Sequence, residues 1–148
     1  MHILLVNRAT IPVFAYGGTE RVIWDLGKML YKLGHQVSYL VPPGSSCPFG
    51  RVLPLQAGLD WSQQIPSDGD VVHFQFVPEQ PETIHKPWLM TQHGNSDVNV
   101  PLPLNTVFLS RNHAERHGSA VFVHNGLDWS AYGEVDLDRS EDYFHFLG

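Results

Sequence analysis

Ile3-Leu4-Leu5-Val6, then Gly17-Gly18-Thr19-Glu20 opening a segment that runs to Leu33-Gly34, then Gln36-Val37-Ser38-Tyr39-Leu40-Val41: these stretches decide the fold. The opening run is continuously apolar, which suits a strand buried on both faces, as in a parallel sheet covered by helices. Thr19 stands where it can cap the helix that follows. Glu20 sits where the positive end of the helix dipole favours a carboxylate, and Gly34 can close the helix. Between these signals Val22, Ile23, Leu26, Met29, Leu30 and Leu33 recur at spacings of three and four, forming one apolar stripe. Gly27 interrupts it, at about 1 kcal/mol relative to Ala. Gln36 to Val41 is the second strand, ended by Pro42-Pro43-Gly44, so residues 1–41 read as one β-α-β unit.

The alternation continues outward from that unit. Arg51 to Leu55 is a weaker strand, and Asp70 to Val77 is rich in β-branched and aromatic residues. Pro87 to Gln92, Asn105 to Leu109 and Ala120 to Val123 read as further strands, and Ser110 caps a short helix reaching His117. The predicted architecture is α/β: an open, mostly parallel, doubly wound Rossmann-like sheet. Residues 1–132 make up this domain. Residues 133–148 read as an acidic linker followed by Tyr143-Phe144-His145-Phe146-Leu147-Gly148, the beginning of a further strand. On this reading the chain is the front part of a larger protein; the alternative is a terminal strand pairing on a sheet edge.

Composition narrows the function classes. Of the 148 residues 43% are hydrophobic, enough for a core, while 16% are charged, against a usual figure of about 25%. A net charge of −6 with no Lys/Arg run argues against a nucleic-acid groove. Cys47 is the single cysteine and can form neither an internal disulfide nor a cysteine-based zinc site. The N-terminus carries no basic leader, and no stretch approaches the roughly 18 apolar residues of a membrane span. The expectation is a cytoplasmic protein, with Val100-Pro101-Leu102 leaving open a peripheral contact at the inner membrane face.

In doubly wound sheets ligands bind past the carboxyl ends of the strands. After the first strand come Gly17-Gly18-Thr19, where free helix amides attract an anion such as a diphosphate; the spacing is neither a P-loop nor a dinucleotide fingerprint. After the fifth come Thr91-Gln92-His93-Gly94-Asn95. The neutral imidazole of His93 can relay a proton or bond a sugar hydroxyl, or it simply fills a gap against backbone. Strand alternation puts His73 and Gln75 on one face and Phe74 and Phe76 on the other, with His73 expected to be buried and satisfied. The nine histidines are scattered, and His113 with His117 lacks a third ligand, so no metal site is expected and both are read as exposed helix residues. Trp24, Trp61, Trp88 and Trp129 read as packing residues.

The ordered set of motifs resembles the amino-terminal half of a GT-B glycosyltransferase, specifically glycosyltransferase family 4. It comprises Met1 to Val6, Tyr16-Gly17-Gly18-Thr19-Glu20-Arg21-Val22 and Leu33-Gly34-His35-Gln36-Val37, followed by Asp70-Val71-Val72-His73 and Thr91-Gln92-His93-Gly94. Leu109-Ser110 and Val123-His124-Asn125-Gly126-Leu127-Asp128 complete it. The resemblance implies transfer of a sugar from a nucleotide-sugar donor to an acceptor of unknown identity, with retention, without metal or other cofactor. The front domain would hold the acceptor and the chain's own C-terminal domain the nucleotide. Gly17, Gly18 and Thr19 would face the donor diphosphate and His93 the transferred sugar, with Asn95, Ser110 and Asn125 on the substrate side. The family's second-domain carboxylate pair has no counterpart in these residues. Where many members read His-x-His this chain has His73-Phe74-Gln75, which leaves His73 without an assigned role. Two other readings are a stand-alone anion-binding Rossmann-like module and a different α/β enzyme acting on a phosphorylated small molecule.

Overall fold

The computed structural model describes residues 1–14, 17–134 and 138. Six strands appear in chain order: β1 His2–Val6, β2 Gln36–Val41, β3 Arg51–Pro54, β4 Val71–Phe74, β5 Trp88–Thr91 and β6 Thr106–Val107. They form one open sheet in the order β3-β2-β1-β4-β5-β6, and every pairing is parallel. The order reverses between β1 and β4, so the crevice past their carboxyl ends is the topological switch point. Among the described residues there are three α-helices, α1 Gly18–Lys32, α2 Trp61–Gln64 and α3 Arg111–Arg116, the last following β6.

Period-two alternation divides the core between two faces. Leu4, Val6, Leu40, Val72, Phe74 and Met90 point to one side, where Trp61 of α2 and Ile84 cover them. Ile3, Leu5, Val37, Tyr39 and Val41 point to the other, where Ile23 of α1 and Ile11 close over them. β1 is buried along its whole length, and each such side chain contributes roughly 1.5–3 kcal/mol. With layers on both faces the fold is the doubly wound α/β class that the apolar runs predict.

The helix signals are partly reassigned. The N-cap of α1 is Gly17, at φ 142°, and not Thr19, which lies inside the first turn. At the other end Leu33 is the C-cap and is exposed rather than part of the buried stripe. Gly34 follows at φ 87°, its N–H on Tyr31 O (2.9 Å) and the His35 N–H on Leu30 O (3.1 Å). This is a Schellman closure, with glycine supplying the left-handed residue. Ser110 caps α3 as expected, accepting the His113 N–H at 3.1 Å.

The predicted strands after the second all shorten, most of all Asp70 to Val77, Asn105 to Leu109, which keeps only Thr106–Val107, and Ala120 to Val123. β4 stops at Phe74 because β1 ends at Val6, and the last bond of that ladder is Gln75 N–H to Val6 O (3.0 Å). Ala120 to Val123 contributes only a parallel bridge between Phe108 and Phe122, since β6 beside it is two residues long. The expected linker and further strand fall largely on residues 135–137 and 139–148, outside the described residues.

Candidate functional site

Register carries the chemistry to one face. Leu5 is paired with His73, His73 with Leu89, and Thr91 with Val107. These side chains therefore share the α1 side of the sheet. α1 covers the β1–β2 half of that face; over β4, β5 and β6 there is instead a cavity of about 370 Å³. Val22, Leu26 and Met29 of α1 form one wall, Leu89, Val107 and Leu109 the floor, and residues 123–127 the roof. His73, Gln75, Thr91 and His93 gather at its polar end.

Those four side chains are hydrogen-bonded in two pairs. His73 Nε2 lies 2.8 Å from Thr91 Oγ1, and His93 Nε2 lies 2.8 Å from Gln75 Oε1. The Gln75 Nε2–H leans toward His73 O at 3.5 Å, which leaves Gln75 Oε1 to accept. His93 must then carry its proton on Nε2, so Nδ1 is the acceptor nitrogen. Burial, reinforced by the nearby His93, pulls His73 down to about 4. Burial also lowers His93, against a smaller opposing pull from the Glu20 carboxylate. Both rings are therefore neutral at neutral pH, and a neutral imidazole can accept a hydroxyl proton.

Val22 and Ile23, from the first turns of α1, and His93, just past β5, line the same cavity, so the helix N-terminus and the end of β5 lie on the same side of the sheet. Gly17 is needed where it stands. Its φ is unfavourable for other residues, and a Cβ there would come 2.8 Å from Glu20 Oε2 and 3.0 Å from Val13 Cγ2. A Cβ on Gly18 would meet nothing within 4 Å, so the backbone there is open to approach. Among the described residues no side chain caps α1, and its first amides keep no partner within the helix. At the switch point Asn7, ending β1, is buried with Nδ2 unpartnered among the described residues.

The roof is tied to α1. The Asp128 carboxylate accepts from Lys28 Nζ at 2.7 Å and from the Ser130 N–H and O–H at 3.2 and 2.5 Å, while the Asp128 N–H donates to Asp25 Oδ2 at 3.1 Å. The Lys28 hydrogen bond, with that from Ser130, holds the Asp128 carboxyl well below the usual range. Asp128 in turn raises Lys28. Nothing in the sequence flagged Asp128 as a clasp, because its partners lie about one hundred residues away.

Of the residues singled out from sequence, His93 and Asn125 line the cavity, and Gly17, Gly18 and Thr19 stand at the α1 end of the same side. Asn95 and Ser110 do not line it: Asn95 Oδ1 accepts from Arg116 Nη1 (3.3 Å), and Ser110 is occupied as the α3 cap. Sequence reading passed over Gln75 and Thr91. The signal was present, since Gln75 stands where a His-x-His pattern has its second histidine. His113 and His117 are half-buried around the Phe108 ring, at centroid distances of 4.9 and 5.1 Å, and are not exposed. Trp129, expected to pack, is 74% exposed.

No family profile matches the chain, and no curated protein matches it. Among solved structures it is similar to the crystal structure of AviGT4, a glycosyltransferase involved in avilamycin A biosynthesis. The TM-score is 0.65 at 22% identity, covering 89% of this chain and 44% of that one, so the chain spans less than half of that protein's length. The likeness is one of fold: a six-stranded, all-parallel, Rossmann-like α/β sheet that a glycosyltransferase also contains.

Proposed function

We propose that the chain is the acceptor-side domain of a retaining glycosyltransferase of family 4, which moves a sugar from a nucleotide-sugar donor to an acceptor hydroxyl. A second, C-terminal domain grips the nucleotide, and the 148 residues alone are inactive. The observation that carries this reading is the shared side: the first turns of the glycine-opened α1 and the His93–Gln75 pair border one crevice. The shared fold with a glycosyltransferase supports it.

In this reading the amides of Gly18 and Thr19 meet the donor diphosphate. His93 Nδ1 accepts the hydrogen bond of the reacting hydroxyl, its ring held by Gln75. Asn125, on the roof, borders the same space. The transfer calls on no metal or other cofactor, and the partners are the donor, the acceptor and the C-terminal domain. Placement in the cytoplasm, with a peripheral contact at the inner membrane face through Val100 and Leu102, belongs to the same proposal. Among the described residues no helix is long and apolar enough to cross a membrane.

The test is nucleotide release by the full-length protein over a panel of nucleotide sugars. His93→Ala is expected to lower kcat about 100-fold with an unchanged Tm. Turnover indifferent to that substitution, or turnover by the 148 residues alone, overturns the reading.

A further inference from the structure

The polar end of the cavity offers few openings. His73 is bonded to Thr91 and His93 to Gln75, each at 2.8 Å, which leaves His93 Nδ1 as a clear acceptor for one arriving hydroxyl. Elsewhere the lining is mostly apolar, with Leu26, Met29, Leu89, Val107, Val123 and Leu127 around the space; at the roof Asn125 adds one polar side chain, and His124 is bonded to Leu109 O at 3.0 Å. The charged side chain on that wall, Asp25, already receives the Asp128 N–H. A sugar or polyol placed here would bury several hydroxyls without partners, and each unpaired one costs about 1–3 kcal/mol. An apolar body carrying one hydroxyl costs nothing of the kind.

Size and closure agree. An engineered apolar cavity of about 150 Å³ holds benzene, so about 370 Å³ accommodates two fused rings or a branched chain of similar bulk. The fourth side is bordered by the chain's own residues 123–127, tied down through Asp128 to Lys28 and Asp25. A concave, largely apolar space with convergent polar groups is the form of a small-molecule site.

We propose that the acceptor is a small apolar alcohol or phenol, its body seated between α1 and β4–β6 and its single hydroxyl directed to His93. This rests on the glycosyltransferase reading for the word acceptor, and on the cavity alone for the class of ligand.

The experiment titrates the 148-residue chain with 4-methylumbelliferone, followed by methyl resonances of Leu26, Met29, Leu89 and Val107, with methyl β-glucoside as the polyol control. Saturable shifts confined to these methyls are expected with the phenol and none with the glucoside. Val123→Trp, which fills the cavity from an exposed roof position, is expected to weaken phenol binding at least tenfold; the wild-type methyl map decides the matter should that variant misfold. No saturable shifts, shifts elsewhere, or equal response to the glucoside overturn the proposal. Phenol binding without sugar transfer by the full-length protein sinks the glycosyltransferase reading and leaves the ligand class standing. Transfer onto sugars with the cavity unperturbed does the reverse.

Discussion

Gly27 and Tyr39 meet where α1 crosses β2. A Cβ on Gly27 would overlap the Tyr39 hydroxyl, stand 2.7 Å from its Cζ and come 3.0 Å from Leu5 Cδ1. The Tyr39 ring is fully buried and boxed in by Trp24 and Phe49, so it has nowhere to swing. Gly27→Ala is therefore expected to destabilise by about 1–3 kcal/mol, opposite in sign to its helix propensity, as urea unfolding will show. His73 gives the second residue-scale prediction. Its folded pKa of about 4 lies below the ordinary 6.5, so the unfolded chain takes up the proton first as pH falls. The stability it contributes is complete above pH 6.5 and is lost progressively down to pH 4. About 2 kcal/mol should disappear between pH 7 and pH 5, and His73→Gln should flatten that slope. For the Gln75–His93 pair, Gln75→Glu places a carboxylate on Nε2 and raises the His93 pKa. The acid limb of the full-length protein's pH–rate profile should move to higher pH, a shift that a purely structural role for Gln75 would not produce.

At the scale of the element, α1 is the piece around which the site is arranged. Among the described residues its N-terminus has no side-chain cap, its middle wedges over β2, and its last turns hold the roof through Lys28. Asp128→Ala removes the acceptor for Lys28 and Ser130. Hydrogen exchange at the amides of Asp128 and Ser130 should then accelerate at least about tenfold, with exchange in β1 unchanged. Slow exchange retained in the variant would show that the roof is held by its apolar contacts instead. The short helix α3 depends more on its cap, because six residues bury little. Ser110→Ala is expected to cost about 1 kcal/mol, read as a lower urea midpoint.

For the whole molecule, the sheet divides into a half covered by α1 and a half facing the cavity, and the switch point lies between them. On the proposed reading, one wall of a crevice offers amides to a diphosphate but little to a base or ribose. Calorimetry of the 148-residue chain with a nucleotide sugar should therefore give a Kd no tighter than about 1 mM, near −4 kcal/mol. Micromolar binding would mean that the chain holds the nucleotide by itself.

The order of the strands, the α1 boundaries to within a residue or two, the alternation of His73/Gln75 against Phe74/Phe76, and the cap on α3 were legible in the residues; the four-residue helix α2 was not, being too short to show a helical period. Each is a local matter of period, capping chemistry or apolar run, settled within one or two turns of chain. Ends of strands were not legible, because β4 stops where its neighbour does and residues 120–123 have too little of β6 to pair with. Nor was the purpose of Gly27, the clasp at Asp128 or the Gln75–His93 bond, whose partners lie 12, 100 and 18 residues away in sequence. Those contacts exist only once the parallel register is set, since register is what aligns side chains from separate strands on one face. The sequence determined which segments form and which way each faces; the tertiary structure decided what meets across the cavity.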